Sequence, residues 1–376
     1  MRVKLPQETL VKSLSTVARF VSPKPSLPVL GNILLSVEEG KLKLSATNLQ
    51  MGINFWLPAK IQEEGEITVP AKILLEFVSS LPPQEISLAL EDKILHLSCG
   101  SFEANINGID PEEFPSLVKI EGEPTLTLSA SDFASSLTPV CFAASLEEGR
   151  PVLTGVLTEI EKEKISFVAT DGYRLSWKKM EIDNSSLKKK IELLVPAKVL
   201  EEIIRIIHET KEEKVKIFVL EKQNQIVFSF EKIQVSSRLI EGSFPDYQKV
   251  IPKESKTEVE VEVEELTQAV KVASIFARNS ANIIKISCDP KVGLQLSANT
   301  KEVGDNVSKV EAKIKGEPLE IAFNSRFVLD LLNNISSEML LLEFSGNLAP
   351  GVFRLLSKKG VDKSFLHLIM PVRVGE

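Results

Sequence analysis

Asp171, Tyr173 and Arg174 stand around Gly172 in the run ATDGYRLS, placing a carboxylate, a phenol and a guanidinium within four positions. Such a set can move a proton and hold a developing anion. Acid/base catalysis also wants a second carboxylate or a His close by, and none occurs between Ile165 and Met180. The same residues suit a turn. KISFVAT and YRLSW alternate with period two on either side of Asp171 and Gly172, and Asp-Gly between alternating runs is a strong hairpin signal. Alternation puts Tyr173, Leu175 and Trp177 on one face and Arg174 and Ser176 on the other. The turn is the favoured reading, with an enzyme using Asp171, Tyr173 and Arg174 kept as its rival.

Other chemistry is sparse. His96, His208 and His367 are scattered, as are Cys99, Cys141 and Cys288, with no HExxH and no CxxC. Neither a zinc site nor a disulfide framework follows, and the cysteines read as small core residues. No GxxxxGK[ST], GxGxxG or GxSxG occurs, so nothing calls for a nucleotide, a metal or any other cofactor. No apolar stretch reaches the ~20 residues that span a bilayer, and MRVKLPQETL lacks a signal-peptide core. The expectation is a cytoplasmic protein without a membrane partner.

The chain of 376 residues exceeds what one core usually serves. ITVPAKILLEFVSSLP, LLVPAKVLEEIIRII and IAFNSRFVLDLLNNI each join a strand, a base and an apolar helix, and Lys72, Lys198 and Arg326 recur 126 and 128 residues apart. LKLSATN, ISFVATD and LQLSANT align at Ala46, Ala169 and Ala298, and EEFPSL, GSFPDY and LIMPVR at Pro115, Pro245 and Pro371. Three ordered triplets mean a triplication, each copy long enough to be a domain. The domains are 1–122, 123–254 and 255–376, with linkers near Gly122 and Glu254. Each copy carries two helices, the first ones being QETLVKSLSTVARFV, SASDFASSLTPVCFAAS and EVEELTQAVKVASIFA. TEVEVEVEE reads as a half-buried strand with an acidic outer face. The fold class is α+β with antiparallel sheet.

Lys12 and Arg19 are seven apart on the first helix, as are Lys271 and Arg278 on the first helix of the third copy. With Lys72, Lys198 and Arg326 they form a recurring basic helix face. The middle copy offers Ser135, Ser136 and Thr138 instead, and carries Asp132. The formal net charge of −7 limits general affinity for nucleic acid but leaves room for one basic surface.

PSLPVLGNILL, RPVLTGV, VATDGYRLS, EGSFPDY, FNSRFVLDLL and MPVRV, in this order over nearly the whole chain, resemble the bacterial sliding clamp family, the beta subunits of the replicative DNA polymerase. The resemblance implies three tandem clamp domains, each with two helices packed on antiparallel sheets, and two chains forming a closed ring around double-stranded DNA. Simple geometry agrees. Six helices spaced ~9 Å apart in a circle leave a bore of only ~7 Å, whereas twelve leave ~24 Å, against the ~16 Å a duplex needs.

By the same resemblance the chain is a head-to-tail homodimer without its own catalytic site. It is a processivity factor whose partners are DNA of any sequence, the polymerase catalytic subunit, an ATP-dependent clamp loader and repair proteins with clamp-binding peptides. Lys24, in SPKPSLP, matches a DNA-touching base of the family; Lys12, Arg19, Lys72, Lys198, Lys271, Arg278 and Arg326 join it as candidates for the bore. The family's peptide pocket maps onto Leu153, Thr170, Gly172, Tyr173, Arg174, Leu175, Pro245, Lys249 and Val250, then Asn324, Phe327, Pro350, Val352, Leu368, Met370, Pro371, Val372 and Arg373. Its apolar walls suit a hydrophobic peptide anchor, which Arg373 orients. Tyr173 stands where many relatives have His, and Gly375 and Glu376 extend past the usual end. A peptide-binding scaffold that does not encircle DNA shares the pocket and lacks the bore, and is the second rival.

Overall fold

A computed structural model describes residues 1–183, 187, 189–300 and 304–373; Gly375 and Glu376 lie outside them. Two compact units emerge, Met1–Ser131 with Arg205–Leu239, and Asp132–Ile204 with Ile240–Glu376.

The six α-helices among the described residues are α1 (Gln7–Val17), α2 (Ala71–Ser79), α3 (Ala130–Cys141), α4 (Ala197–Thr210), α5 (Val263–Ala277) and α6 (Ser325–Asn333). Prolines set several of their starts. Strands Arg2–Pro6, Glu66–Pro70 and Ile191–Pro196 each end on a residue that cannot donate to a ladder, and α1, α2 and α4 begin at the next position. At α6 the cap is Asn324, whose side chain accepts from the amide of Arg326 at 3.0 Å. Leu10, Leu14 and Val17 of α1 are fully buried, as their spacing predicts. The helix does not continue through Arg19 as the sequence suggests. It tightens into a 3₁₀ turn at Ala18–Phe20, which buries Phe20.

In the first unit an eight-stranded antiparallel sheet runs Glu66–Pro70, Asn32–Glu38, Lys41–Thr47, Met51–Leu57, Ile233–Arg238, Gln225–Ser229, Lys214–Leu220, Leu126–Ser129. Its fourth and fifth strands join sequence repeats one and two, with Ile53 opposite Val235. The second unit repeats this. Strands Ile191–Pro196, Gly155–Ile160, Lys164–Thr170 and Arg174–Glu181 continue into Phe365–Ile369 of the third repeat, with Ser176 opposite His367. The four-stranded halves of repeats one and two thus each continue into the other half of the next repeat. Two halves remain. The five-stranded sheet of the first unit has Phe102–Asn107 at an edge, and the four-stranded sheet of the second has Gly304–Val310 at an edge.

Strand Thr257–Glu262 alternates buried Thr257, Val259 and Val261 with more exposed glutamates, as TEVEVEVEE predicts. Cys99, Cys141 and Cys288 are all buried and unbridged; burial pushes the Cys288 thiol up to about 12 and the Cys141 thiol higher. No helix among the described residues is long and apolar enough to cross a membrane.

Candidate partner site and basic helix faces

The hairpin strands end at Thr170 and resume at Arg174. The turn therefore has three residues, one more than an Asp-Gly turn. Asp171 explains this: its Oδ1 accepts from the amides of Tyr173 at 2.8 Å and Arg174 at 3.0 Å, while Gly172 sits at φ 92°. Tyr173 leaves the strand and is 61% exposed, whereas Leu175 is 4% exposed. Strand alternation therefore starts at Arg174 and does not govern Tyr173.

All three guanidinium nitrogens of Arg174 donate a hydrogen bond. Nε donates to Asp171 Oδ2 at 3.0 Å, Nη1 to Asp330 Oδ2 at 2.6 Å and Nη2 to the carbonyl of Phe142 at 2.9 Å. The guanidinium also lies over the rings of Phe327, 4.7 Å from its centroid, and Phe142, 5.4 Å away. Asp171 is bound in turn by two amides and this guanidinium, which is the work of a turn and an ion pair, not of a free general base. No group of three His, Cys, Asp or Glu among the described residues could hold a metal ion.

The structure brings much of the predicted peptide site together. Leu175, Val352 and Leu368 join one buried cluster with Val168 and Leu366, against which Trp177, Phe244, Tyr247 and Ile251 pack. Leu368 pairs with Leu175 on one side and Val352 on the other. Tyr173 stacks on Phe327, ring centroids 6.4 Å apart, and its carbonyl accepts from the amide of Met370 at 2.8 Å. Thr170 bridges the turn, its hydroxyl donating to the Arg174 carbonyl at 2.6 Å and accepting from Gly172 at 3.0 Å. Leu153 is buried; Pro245, Lys249, Val250, Met370 and Arg373 are exposed; Pro350, Pro371 and Val372 are half-buried. Val372 is tied to Ala322 by a backbone bond of 2.8 Å. Asn324 is occupied as the cap of α6.

Two neighbours went unnoticed in the sequence. Arg150 places Nη1 3.5 Å from where a Cβ on Gly172 would stand, and Asp330 pairs with Arg174 across 156 residues. The first sits at the start of RPVLTGV, a quoted motif that marks its own neighbourhood. The second carries no signal in spacing.

At the repeat-related junction of the first unit the counterpart of Leu175 is Gly52, opposite Ser236. Leu117 fills the vacancy, its Cδ2 2.5 Å from where a Cβ would stand. The cavity there, about 180 Å³, is lined by Leu49, Met51 and Leu117 among others, so a residue of the chain itself takes the place that Leu175 holds in the second unit.

Of the basic candidates, Lys12, Lys24, Lys72, Lys198, Lys271, Arg278 and Arg326 are exposed. Lys72, Lys198 and Arg326 each occupy the second position of their helix. Arg19 differs: its Nη1 and Nη2 donate to both carboxylate oxygens of Glu209, each at 3.0 Å, and its side chain is 19% exposed. That charge is already neutralised in fork-to-fork geometry.

Three family descriptions match the chain in order: DNA polymerase III beta subunit, N-terminal domain, over residues 1–118; central domain, over 127–246; and C-terminal domain, over 248–373. The beta sliding clamp of Synechococcus elongatus is 33% identical over 100% of both chains, and that of Bacillus subtilis 29% identical over 99% of this chain and 100% of its own. Among solved structures, the DNA polymerase sliding clamp of Bacillus subtilis superposes over 100% of both chains with TM-score 0.91 at 28% identity. The DNA polymerase III beta subunit of Thermotoga maritima does so with TM-score 0.90 at 27%.

Proposed function

The chain belongs to the beta sliding clamp family, the beta subunits of DNA polymerase III, and from that premise we propose that it encircles duplex DNA as a head-to-tail homodimer and tethers the replicative polymerase to its template. The observation that carries this is the pair of leftover sheet edges. Within the chain, the four-stranded halves of repeats one and two each continue into the next repeat's other half. Gly304–Val310 occupies the place in the third repeat that Arg174–Glu181 holds in the second, and Phe102–Asn107 the place that Phe365–Ile369 holds in the third. Each ends its sheet unpaired, and by the repeat pattern a second chain would complete it. An open edge is costly unless it is paired, and exposed apolar residues on or beside the edges support pairing: Phe102 at 50%, and Val307 at 57% with Ile275 of the adjoining helix at 55%. Two such joints close a six-domain ring of twelve helices, with domains at 1–122, 123–254 and 255–376.

The exposed bases on the helices and Lys24 give weak contacts to phosphates of any sequence, and the charge of −7 keeps them weak. Retention is then topological, and sliding is not hindered. The cluster around Leu175 and Leu368, rimmed by Arg150, Tyr173, Met370 and Arg373, receives apolar peptide segments of the polymerase catalytic subunit, the clamp loader and repair proteins in the cytoplasm. The protein contributes no catalysis of its own, since Asp171 and Arg174 are consumed by the turn and its ion pairs.

Sedimentation, followed by loading onto nicked circular DNA with the cognate ATP-dependent loader, tests the reading. The expected result is a dimer that stays on circles and is lost after linearisation. A monomer that binds peptides, with equal loss from both DNAs, would establish the scaffold instead.

A further inference from the structure

Asp330 shares the stripe of Arg326 on α6, four residues away. Its Oδ2 nevertheless reaches Arg174, at 2.6 Å. The Asp330 side chain is 46% exposed and that of Arg174 10%. This half-open carboxylate therefore anchors a largely enclosed guanidinium, which is flanked by the rings of Phe142 and Phe327. Phe327 in turn stacks on Tyr173. The hairpin turn, the segment after α3 and α6 are held by one cation.

We propose that Asp330 is a positioning residue for partner binding, holding Arg174 and through it Phe327 and the Tyr173 turn in the arrangement that receives a partner's apolar peptide segment; this rests on the peptide-binding reading above. With its donors already committed to Asp171, Asp330 and Phe142, Arg174 serves as a brace more than as a hand for the ligand. Loss of the Asp330 carboxylate frees Nη1 and leaves the guanidinium held by Asp171 and one carbonyl. The planar fork then has a second way to lie, and the ring stacked on it loses its fixed partner. The fold itself does not depend on this carboxylate, because a half-exposed pair contributes little to stability.

The test measures binding of the replicative polymerase catalytic subunit from the same organism to Asp330→Asn, Asp330→Glu and Met370→Asp clamps, each checked for dimerisation and thermal unfolding. Asp330→Asn is expected to weaken binding about five- to tenfold with unfolding unchanged, Asp330→Glu to restore most of it, and Met370→Asp to weaken it about a hundredfold. In an Arg174→Met background the further effect of Asp330→Asn should vanish, which a general structural role would not produce. Wild-type binding by Asp330→Asn beside a damaged Met370→Asp overturns the brace and leaves the pocket standing. Wild-type binding by Met370→Asp overturns both.

Discussion

The Ser176 hydroxyl lies 2.6 Å from Nδ1 of His367, at a position where the strands of these two residues are also paired. Both side chains are fully buried, and Phe142 and Phe353 pack around the imidazole, at 5.4 and 6.3 Å between ring centroids. Nε2 is buried without a partner among the described residues. The pair thus favours the tautomer with its proton on Nδ1, which leaves Nε2 a bare lone pair in place of an unsatisfied donor. It sits where repeat two continues into repeat three, beneath the residues assigned to partner binding.

Burial, aided by the nearby charge of Arg174, pushes His367 down to about 3 from an ordinary value near 6.5. A depressed folded value means that the unfolded chain takes up the proton first. The contribution to stability is full above pH 6.5 and is lost as pH falls toward 3, by at most ~1.4 kcal/mol per unit. Urea unfolding between pH 8 and 4.5 should show this slope in the second unit. His367→Leu should flatten it while costing ~1–3 kcal/mol at pH 8, because the Ser176 hydroxyl loses its partner. An unchanged acid slope in the variant would place the protonation elsewhere.

Gly172 stands at φ 92°, a region that residues with a Cβ rarely adopt. Gly172→Ala should strain the turn by ~1–3 kcal/mol and push the added methyl toward Arg150. We expect weaker binding of the polymerase subunit with dimerisation intact, measured side by side. Equal binding would mean that the turn's shape does not matter to the partner.

How much of this was legible in the chain differs from residue to residue. The triplets at Ala46, Ala169 and Ala298, and at Lys72, Lys198 and Arg326, foretold repeated strand and helix positions, because each triplication copy must bury the same face. The burial of Leu10, Leu14 and Val17 followed from helical spacing alone. The pairing of Arg19 with Glu209 was not legible, because the two residues lie 190 positions apart and no spacing links them. Tyr173 reads as a strand residue in the sequence, and the three-residue turn held by Asp171 leaves it outside the strand. Asp330 could not have been found, since its partner is 156 residues away and its i,i+4 neighbour is a different Arg.

If Phe102–Asn107 and Gly304–Val310 meet across two chains, charge on either edge should open the ring. Val307→Lys and Phe102→Glu, made singly, should each raise the dimer dissociation constant about a hundredfold or more, since a buried unpaired charge is strongly unfavourable. Sedimentation reads this directly. The double variant, bringing opposite charges to the joint, should recover part of the loss. Dimers of wild-type strength in both single variants would move the interface away from these strands.

The exposed bases and the paired one should behave differently on DNA. Lys24 and Lys271 are exposed and have no ion-pair partner among the described residues, so each is open to a phosphate. Lys24→Ala and Lys271→Ala should speed loss from DNA modestly and lower the salt dependence of binding by ~0.9 per phosphate contact removed. Arg19 is held by both oxygens of Glu209, and to reach a phosphate it would first have to leave them. Arg19→Ala should therefore leave the salt slope nearly unchanged and lower unfolding stability only slightly, by up to ~1 kcal/mol, because the pair is solvent-screened on the Glu209 side. Measuring slope and stability on the same three variants separates the roles. A reduced salt slope for Arg19→Ala would return it to the DNA-facing set and imply that Glu209 releases it when a duplex enters the ring.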